Sequence, residues 1–358
     1  MFRTVVLAAG LSLSLLASAL EAQTGSTKAN PPPERTAADI EWESLEAFSR
    51  PRPAAMPTDE KERAAARKKQ ASDLVAQADR IKEFYDKNPN HARVKDAKFL
   101  EARTLFLAAE AGDASQEARR KTLVESIRRD PGLAVGKRSE ISAWAANWEI
   151  RQQKNLTIPE RLEAHEQVAR SLAVEFPTVP EVYESLYAIA RSRDDEKGRQ
   201  LMQDLLTMPA PDTVKAQARQ MIERYALEGR SLGEVATAAA GANSPAAQAK
   251  GVVVIYTWAS WSKGSLALAS RLPSTAPSGA TFIGVCLDTD LNAARAAAQA
   301  AGLPGTQIYD SRGGAGALAQ QLRLTEPTLV YLTDANGLIT TVSGVRQLLA
   351  AAGSSSGK

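Results

Sequence analysis

Cysteine and histidine are nearly missing from this chain: 358 residues carry one Cys and two His. A lone thiol closes no intramolecular disulfide, and two imidazoles with one thiol assemble no Cys/His zinc cluster, so no structural or catalytic metal centre of that kind is expected. No cofactor motif is present either. Residues 313–316, Gly-Gly-Ala-Gly, lack the Lys-Ser/Thr of a phosphate loop and read as the start of a helix. Net charge is small as well, 44 Lys+Arg against 41 Asp+Glu, which argues against nucleic acid as the partner. The Lys/Arg-rich stretch 61–69 is interleaved with Glu and Ala and reads as a solvated helix face.

Long apolar runs are scarce. The longest candidate lies at the start, where Arg3 precedes an apolar stretch over 5–16 and the triplets Ala17-Ser18-Ala19 and Leu20-Glu21-Ala22 follow. This reads as a secretory signal over 1–22, cleaved after Ala19 or Ala22, because the stretch is too short for a membrane span of about 20 residues. The expectation is a periplasmic or secreted protein with no transmembrane span after cleavage. Asn155-Leu156-Thr157 has the spacing of a glycosylation sequon, by chance alone.

At about 150 residues per domain, the length calls for two domains. Residues 23–58 hold Pro31, Pro32, Pro33, Pro51, Pro53 and Pro57 and read as a mostly extended linker with room for one short helix. Within it Ile40, Trp42, Leu45 and Phe48 either make the docking face of a short helix or belong to a floppy tail. Residues 59–232 are charge-dense with apolar residues at spacings of three and four, as in Leu74, Ala78, Ile81 and Tyr85. Breaks at Asn88-Pro89, Asp130-Pro131, Phe176-Pro177 and Met208-Pro209 delimit about eight helices, and their separations of 42, 46 and 32 residues match helix-pair repeats. By period alone the segment resembles tetratricopeptide-like hairpins, which implies either a repeat array with a concave partner surface or a closed bundle.

Residues 233–249 are Ala, Gly and Ser with hardly a charge and read as a second linker. Composition then changes: 250–358 carry eight basic and five acidic residues. The predicted order is a buried strand over 252–256, a helix over 264–272, a strand over 282–287, helices over 291–301 and 314–322, a strand over 328–332, a hairpin turn at Asp334-Ala335-Asn336-Gly337 and a strand over 338–342. That order packs helices on both faces of a mixed sheet over 250–352, with 353–358 as a tail. The fold expected for the whole is an all-α, hairpin-repeat-like domain followed by an α/β domain.

Residues 254–265, VIYTWASWSKGS, resemble the active-site strand and turn of the thioredoxin-like superfamily, closest to its exported cytochrome-biogenesis thiol oxidoreductase branch. Residues 283–288 resemble that family's second strand, Glu326-Pro327-Thr328 sits where it has a cis-proline, and 334–337 matches its hairpin. The family's two cysteines are replaced by Ser262 and Ser265, with Lys263-Gly264 between them. Thiol-disulfide exchange needs a thiolate and a resolving thiol, and a serine hydroxyl supplies neither. No hydrolytic base stands nearby, since His91 and His165 both fall in the helical region. Ser262 therefore reads as a helix N-cap and Cys286 as core packing. The resemblance implies an apolar shelf of Trp258, Trp261 and Pro327, with Ser262, Lys263 and Glu326 on it, across which an extended protein or peptide partner of the cell envelope would lie by strand addition at the residue before the proline. Otherwise the two tryptophans plug the end of the core. An exposed Glu326 would favour partners carrying Lys or Arg. Two alternatives remain: an oxidoreductase relative acting through Cys286 or with a catalytic partner, and a domain that merely caps the helical array.

Overall fold

The computed structural model describes residues 35–48, 57–193 and 195–342. The signal segment 1–22, most prolines of the first linker and the tail 353–358 lie outside them. Within the linker, α1 (Ala37–Phe48) is the short helix, not a floppy tail. Its Trp42 and Leu45 are buried against Ile81, Phe84 and Ala97, while Ile40 faces solvent. The docking reading holds for Trp42 and Leu45, and Ile40 is not part of that face.

Eight helices follow: α2 (Glu60–Lys87), α3 (Val94–Glu110), α4 (Glu117–Arg128), α5 (Val135–Gln152), α6 (Ile158–Glu175), α7 (Pro180–Ser192), α8 (Glu196–Thr207) and α9 (Asp212–Tyr225). The side chain of Asp59 caps α2. A reciprocal Thr157–Glu160 capping box starts α6 and satisfies two orphan donors at once. The four Asx-, Phe- and Met-Pro breaks fall between α2 and α3, α4 and α5, α6 and α7, and α8 and α9, so proline marks every second connection. Each helix packs on its neighbours in chain order, with α3 also on α5 and α7 on α9. Stacked helix pairs bury their apolar faces in this way.

Residues 233–249 are not a linker. They form most of α10 (Leu232–Ala240) and all of α11 (Pro245–Gln248), capped by the hydroxyls of Ser231 and Ser244. Alanine supplies the reason: it is the strongest helix former, and its small side chain lets a helix lie close to a sheet. Leu232, Val235, Ala236 and Ala246 are buried in one apolar cluster with Leu186 and Met202 of the helical half and Val253, Ile255, Ile283 and Tyr331 of the sheet. The two halves thus share a core.

The α/β half runs β1 (Val253–Trp258), α12 (Lys263–Ala269), β2 (Thr281–Cys286), α13 (Leu291–Ala301), β3 (Thr306–Ile308), α14 (Ala317–Gln321), β4 (Val330–Thr333) and β5 (Ile339–Thr341). Sheet order is β3-β2-β1-β4-β5, with β1, β2 and β3 parallel and β4 antiparallel to both β1 and β5. Alternation along β1 divides the core. Val253 and Ile255 face the cluster shared with the helical half, and Val254, Tyr256 and Trp258 face a second cluster with Ala269, Leu272, Cys286 and Ala294. The edge of β5 is covered: Ile339 accepts from the Gly229 N–H at 2.8 Å and donates to the Arg230 carbonyl at 2.9 Å, and Leu232 N–H reaches Gly337 O at 3.0 Å. The chain leaving the helical half therefore closes an edge that would otherwise invite pairing.

Candidate functional site

The carboxyl end of β1 joins two loops through one polar residue. Thr257 is fully buried in an otherwise apolar strand. Its hydroxyl donates to the Glu326 carbonyl at 2.6 Å and accepts from the Leu329 N–H at 2.8 Å, while its own carbonyl accepts from Thr328 N–H at 3.2 Å. The turn after Trp258 and the loop over 326–329 are thereby held side by side. Sequence reasoning passed over Thr257, though a single polar residue inside a β-branched run was the available signal.

Ser262 and Ser265 are both used structurally. The Ser262 hydroxyl accepts the Ser265 N–H at 3.3 Å as the N-cap of α12, as its residue type predicts. Ser265 is completely buried. Its hydroxyl donates to the Ser262 carbonyl at 2.8 Å and accepts from Ala259 N–H at 3.2 Å. Neither hydroxyl has a base beside it. His91 pairs with Asp39 at 3.2 Å and His165 with Asn147 at 2.8 Å, both within the helical half, and burial lowers the affinity of His165 for a proton.

The turn is braced from β2. Ser260 donates its N–H (2.7 Å) and hydroxyl (2.9 Å) to the two oxygens of buried Asp288. Cys286 is buried, and its thiol lies 3.4 Å from Asp288 Oδ2. Burial, reinforced by that carboxylate, pushes the thiol up to about 12, so it is neutral at physiological pH. A cavity of about 270 Å³ adjoins it, walled by Ile308, Tyr309, Leu318 and the end of α10.

The shelf residues separate. Trp258 is wholly buried, stacked edge-on against Tyr309 at 6.0 Å, and forms part of the core, not of a surface. Trp261 is 68% exposed, Lys263 is exposed, and Ser262, Glu326 and Pro327 are half-buried. Glu326 does not offer a free carboxylate. Arg191 of α7 bonds it at 2.9 Å, and Arg224 of α9 stands 3.7 Å away. The same loop is held by Gln220 on Thr325 at 2.5 Å and by Glu223 on Arg323 at 3.1 Å. A helical half that reaches across and neutralises Glu326 is the physical reason it cannot select basic partners. Every described peptide bond is trans, Pro327 included, and the loop reverses instead at Thr328, whose φ is +92°. With its carbonyl turned onto Thr257, the residue before the proline does not present the acceptor that strand addition requires.

Among the described residues no cluster of three His, Cys, Asp or Glu side chains could hold a metal ion, and no helix is long and apolar enough to cross a membrane. No protein-family model, curated protein or solved structure matches the chain.

Proposed function

We propose that this chain is an exported protein-binding protein whose α/β half is a thioredoxin-like domain without thiol chemistry. Support for the domain reading comes from a β-α-β unit followed by an antiparallel hairpin, assembled in the order β2-β1-β4-β5, with a Trp-containing turn between β1 and α12. One observation carries the functional part: both positions where the family keeps its thiols hold hydroxyls already spent on helix capping and on the buried Ala259 N–H. A site committed in this way has neither nucleophile nor resolving group. What it retains is surface, namely the exposed Trp261 and Lys263 after β1 and the half-buried Pro327 of the loop that Thr257 holds. Cys286 offers no alternative route, because its thiol is neutral and enclosed.

The test is dithiothreitol-driven insulin reduction by the full chain and by a variant carrying Ser262→Cys and Ser265→Cys. The wild-type chain is expected to be inactive and the double variant to form a reversible disulfide and gain activity. Wild-type turnover comparable to a thioredoxin would overturn the non-redox reading. A double variant that never closes its disulfide on oxidation would overturn the thioredoxin-like one. Export is checked separately by sequencing the amino terminus of the secreted protein, expected to begin after Ala19 or Ala22.

A further inference from the structure

We propose that the corner formed by Trp261 and Lys263 docks a partner segment carrying carboxylates beside an apolar side chain. The proposal rests on the protein-binding reading above and names the chemistry of the partner.

Two independent features meet at this corner. The first is the exposed ring. The other described tryptophans are buried or half-buried within clusters: Trp42 against Phe84, Trp144 and Trp148 around Phe106, and Trp258 in the core of the sheet. Trp261 alone among them stands in solvent, two residues from an exposed lysine on the first turn of α12. A large rigid ring with few rotamers loses little entropy on being covered, which suits it to anchor an interface.

The second feature is how charge is distributed at this end of the sheet. Each carboxylate here already has a local partner. Both oxygens of Asp288 bond Ser260, Asp290 accepts two N–H groups as the N-cap of α13, and Glu326 lies between Arg191 and Arg224. Lys263 has no carboxylate partner among the described residues, and Arg295, over the Tyr309 ring at 5.4 Å, has none either. Hydrogen bonds from neutral groups leave a carboxylate its charge, but Asp288 is buried. The exposed charges without an ion-pair partner at this end are therefore Lys263 and Arg295 against Asp290 alone. The excess is cationic, the reverse of what Glu326 suggests when read from sequence. Nucleic acid fits less well. A ring and an ammonium can meet one base and one phosphate, whereas affinity for a strand is built from many phosphate contacts along a basic track.

The experiment uses the full chain and fluorescence polarisation with short fluorescein-labelled peptides that alternate Leu with Glu, with Gln or with Lys, and with a labelled oligothymidylate. The Glu peptide is expected to bind best and to weaken as sodium chloride is raised. Lys263→Glu should lower its affinity about five- to tenfold and turn the preference toward the Lys peptide, and Trp261→Ala should remove binding of every peptide. Both side chains are exposed, so neither change disturbs folding. Binding of the Gln or Lys peptide as tightly as the Glu peptide, or of the oligothymidylate as tightly, overturns this inference while the protein-binding reading survives any peptide binding lost in Trp261→Ala. If no peptide binds, both fail.

Discussion

The guanidinium of Arg191 on α7 meets the carboxylate of Glu326, 135 residues further along the chain, at 2.9 Å. This pair turns a loop at the carboxyl end of β1 toward the helical half, and it decides which charges that loop shows to solvent. Both side chains are half-exposed, so the pair is screened and contributes only about 0.5–1 kcal/mol. Arg191→Ala should therefore leave the fold intact but loosen the loop. Amide exchange over 323–329 should quicken while that of β1 stays unchanged. Equal protection in wild type and variant would show that the loop is held by its hydrogen bonds to Thr257 alone.

Arg224 is the less comfortable partner. Its side chain is 1% exposed, its Nη1 reaches only the Met221 sulfur at 3.1 Å, and its Nε and Nη2 have no hydrogen-bond partner. Burying an incompletely satisfied guanidinium costs more than the distant Glu326 returns. Arg224→Met keeps the volume and removes that cost, while Arg191 still neutralises Glu326. Urea denaturation should show stability unchanged or raised by about 1 kcal/mol. A loss of about 2 kcal/mol or more would mean that the 3.7 Å pair tightens in solution.

The two serines differ in what they hold. Ser262→Ala removes an N-cap from a short helix and should cost about 0.5–1 kcal/mol. Ser265→Ala leaves the buried Ala259 N–H without its partner and should cost about 1–3 kcal/mol. Denaturant melts of the two variants test the order. The reverse order would place Ser265 in contact with water.

Much of this architecture was legible because local signals and tertiary packing agree. Helix α13 spans Leu291–Ala301, the predicted range, since Asp290 caps its start and Gly302, left-handed at φ +59°, ends it. The proline breaks located alternate helix connections for the same reason. Strand β3 (Thr306–Ile308) was not predicted: three residues, none of them buried, carry no periodicity, and only pairing with β2 makes them a strand. Alanine misled at 233–249, where scarce charge suggested a linker but the residues are strong helix formers with a sheet to lie on. At the site, the N-cap role of Ser262 follows from its position before a helix. The partners of Glu326 do not, because Arg191 and Arg224 reach it only through docking of the two halves.

Alkaline pH should weaken the fold through Cys286. Its thiol is raised from an ordinary value near 9 to about 12 by burial, so the folded state holds a proton that the unfolded chain releases. The stabilisation is complete below pH 9 and is lost as pH rises through about 12. Tyr256, likewise raised to about 12 by burial, acts with the same sign at higher pH. At pH 9.5 the Cys286 contribution to the loss should be about 1 kcal/mol. Urea melts of wild type and Cys286→Ala at pH 7.5 and 9.5 test this, and the variant should show the shallower decline. Parallel declines would mean an open, ordinary thiol, and iodoacetamide would then modify Cys286 rapidly near neutrality.

The shared core has a consequence for where the chain can be cut. Composition places a boundary at residue 250, but a chain beginning there would lose α10, α11 and the segment 229–232 that closes β5. Leu232 and Val235 each remove a whole side chain from water, worth about 1.5–3 kcal/mol apiece. Their loss would bare Val253, Ile255, Ile283 and Tyr331 on one face of the sheet and leave the edge of β5 unpaired. A polypeptide of residues 250–358 should therefore bind 8-anilinonaphthalene-1-sulfonate strongly and aggregate, whereas one of residues 228–358, which keeps both helices and the edge pairing and bares only the part of the cluster that the helices before residue 228 cover, should aggregate less and bind less dye. The full chain should lose the 169–249 helices and the sheet in one calorimetric transition, since their cluster is continuous. If residues 250–358 prove monomeric, dye-free and cooperatively folded, then α10 and α11 lie against the sheet without completing its core.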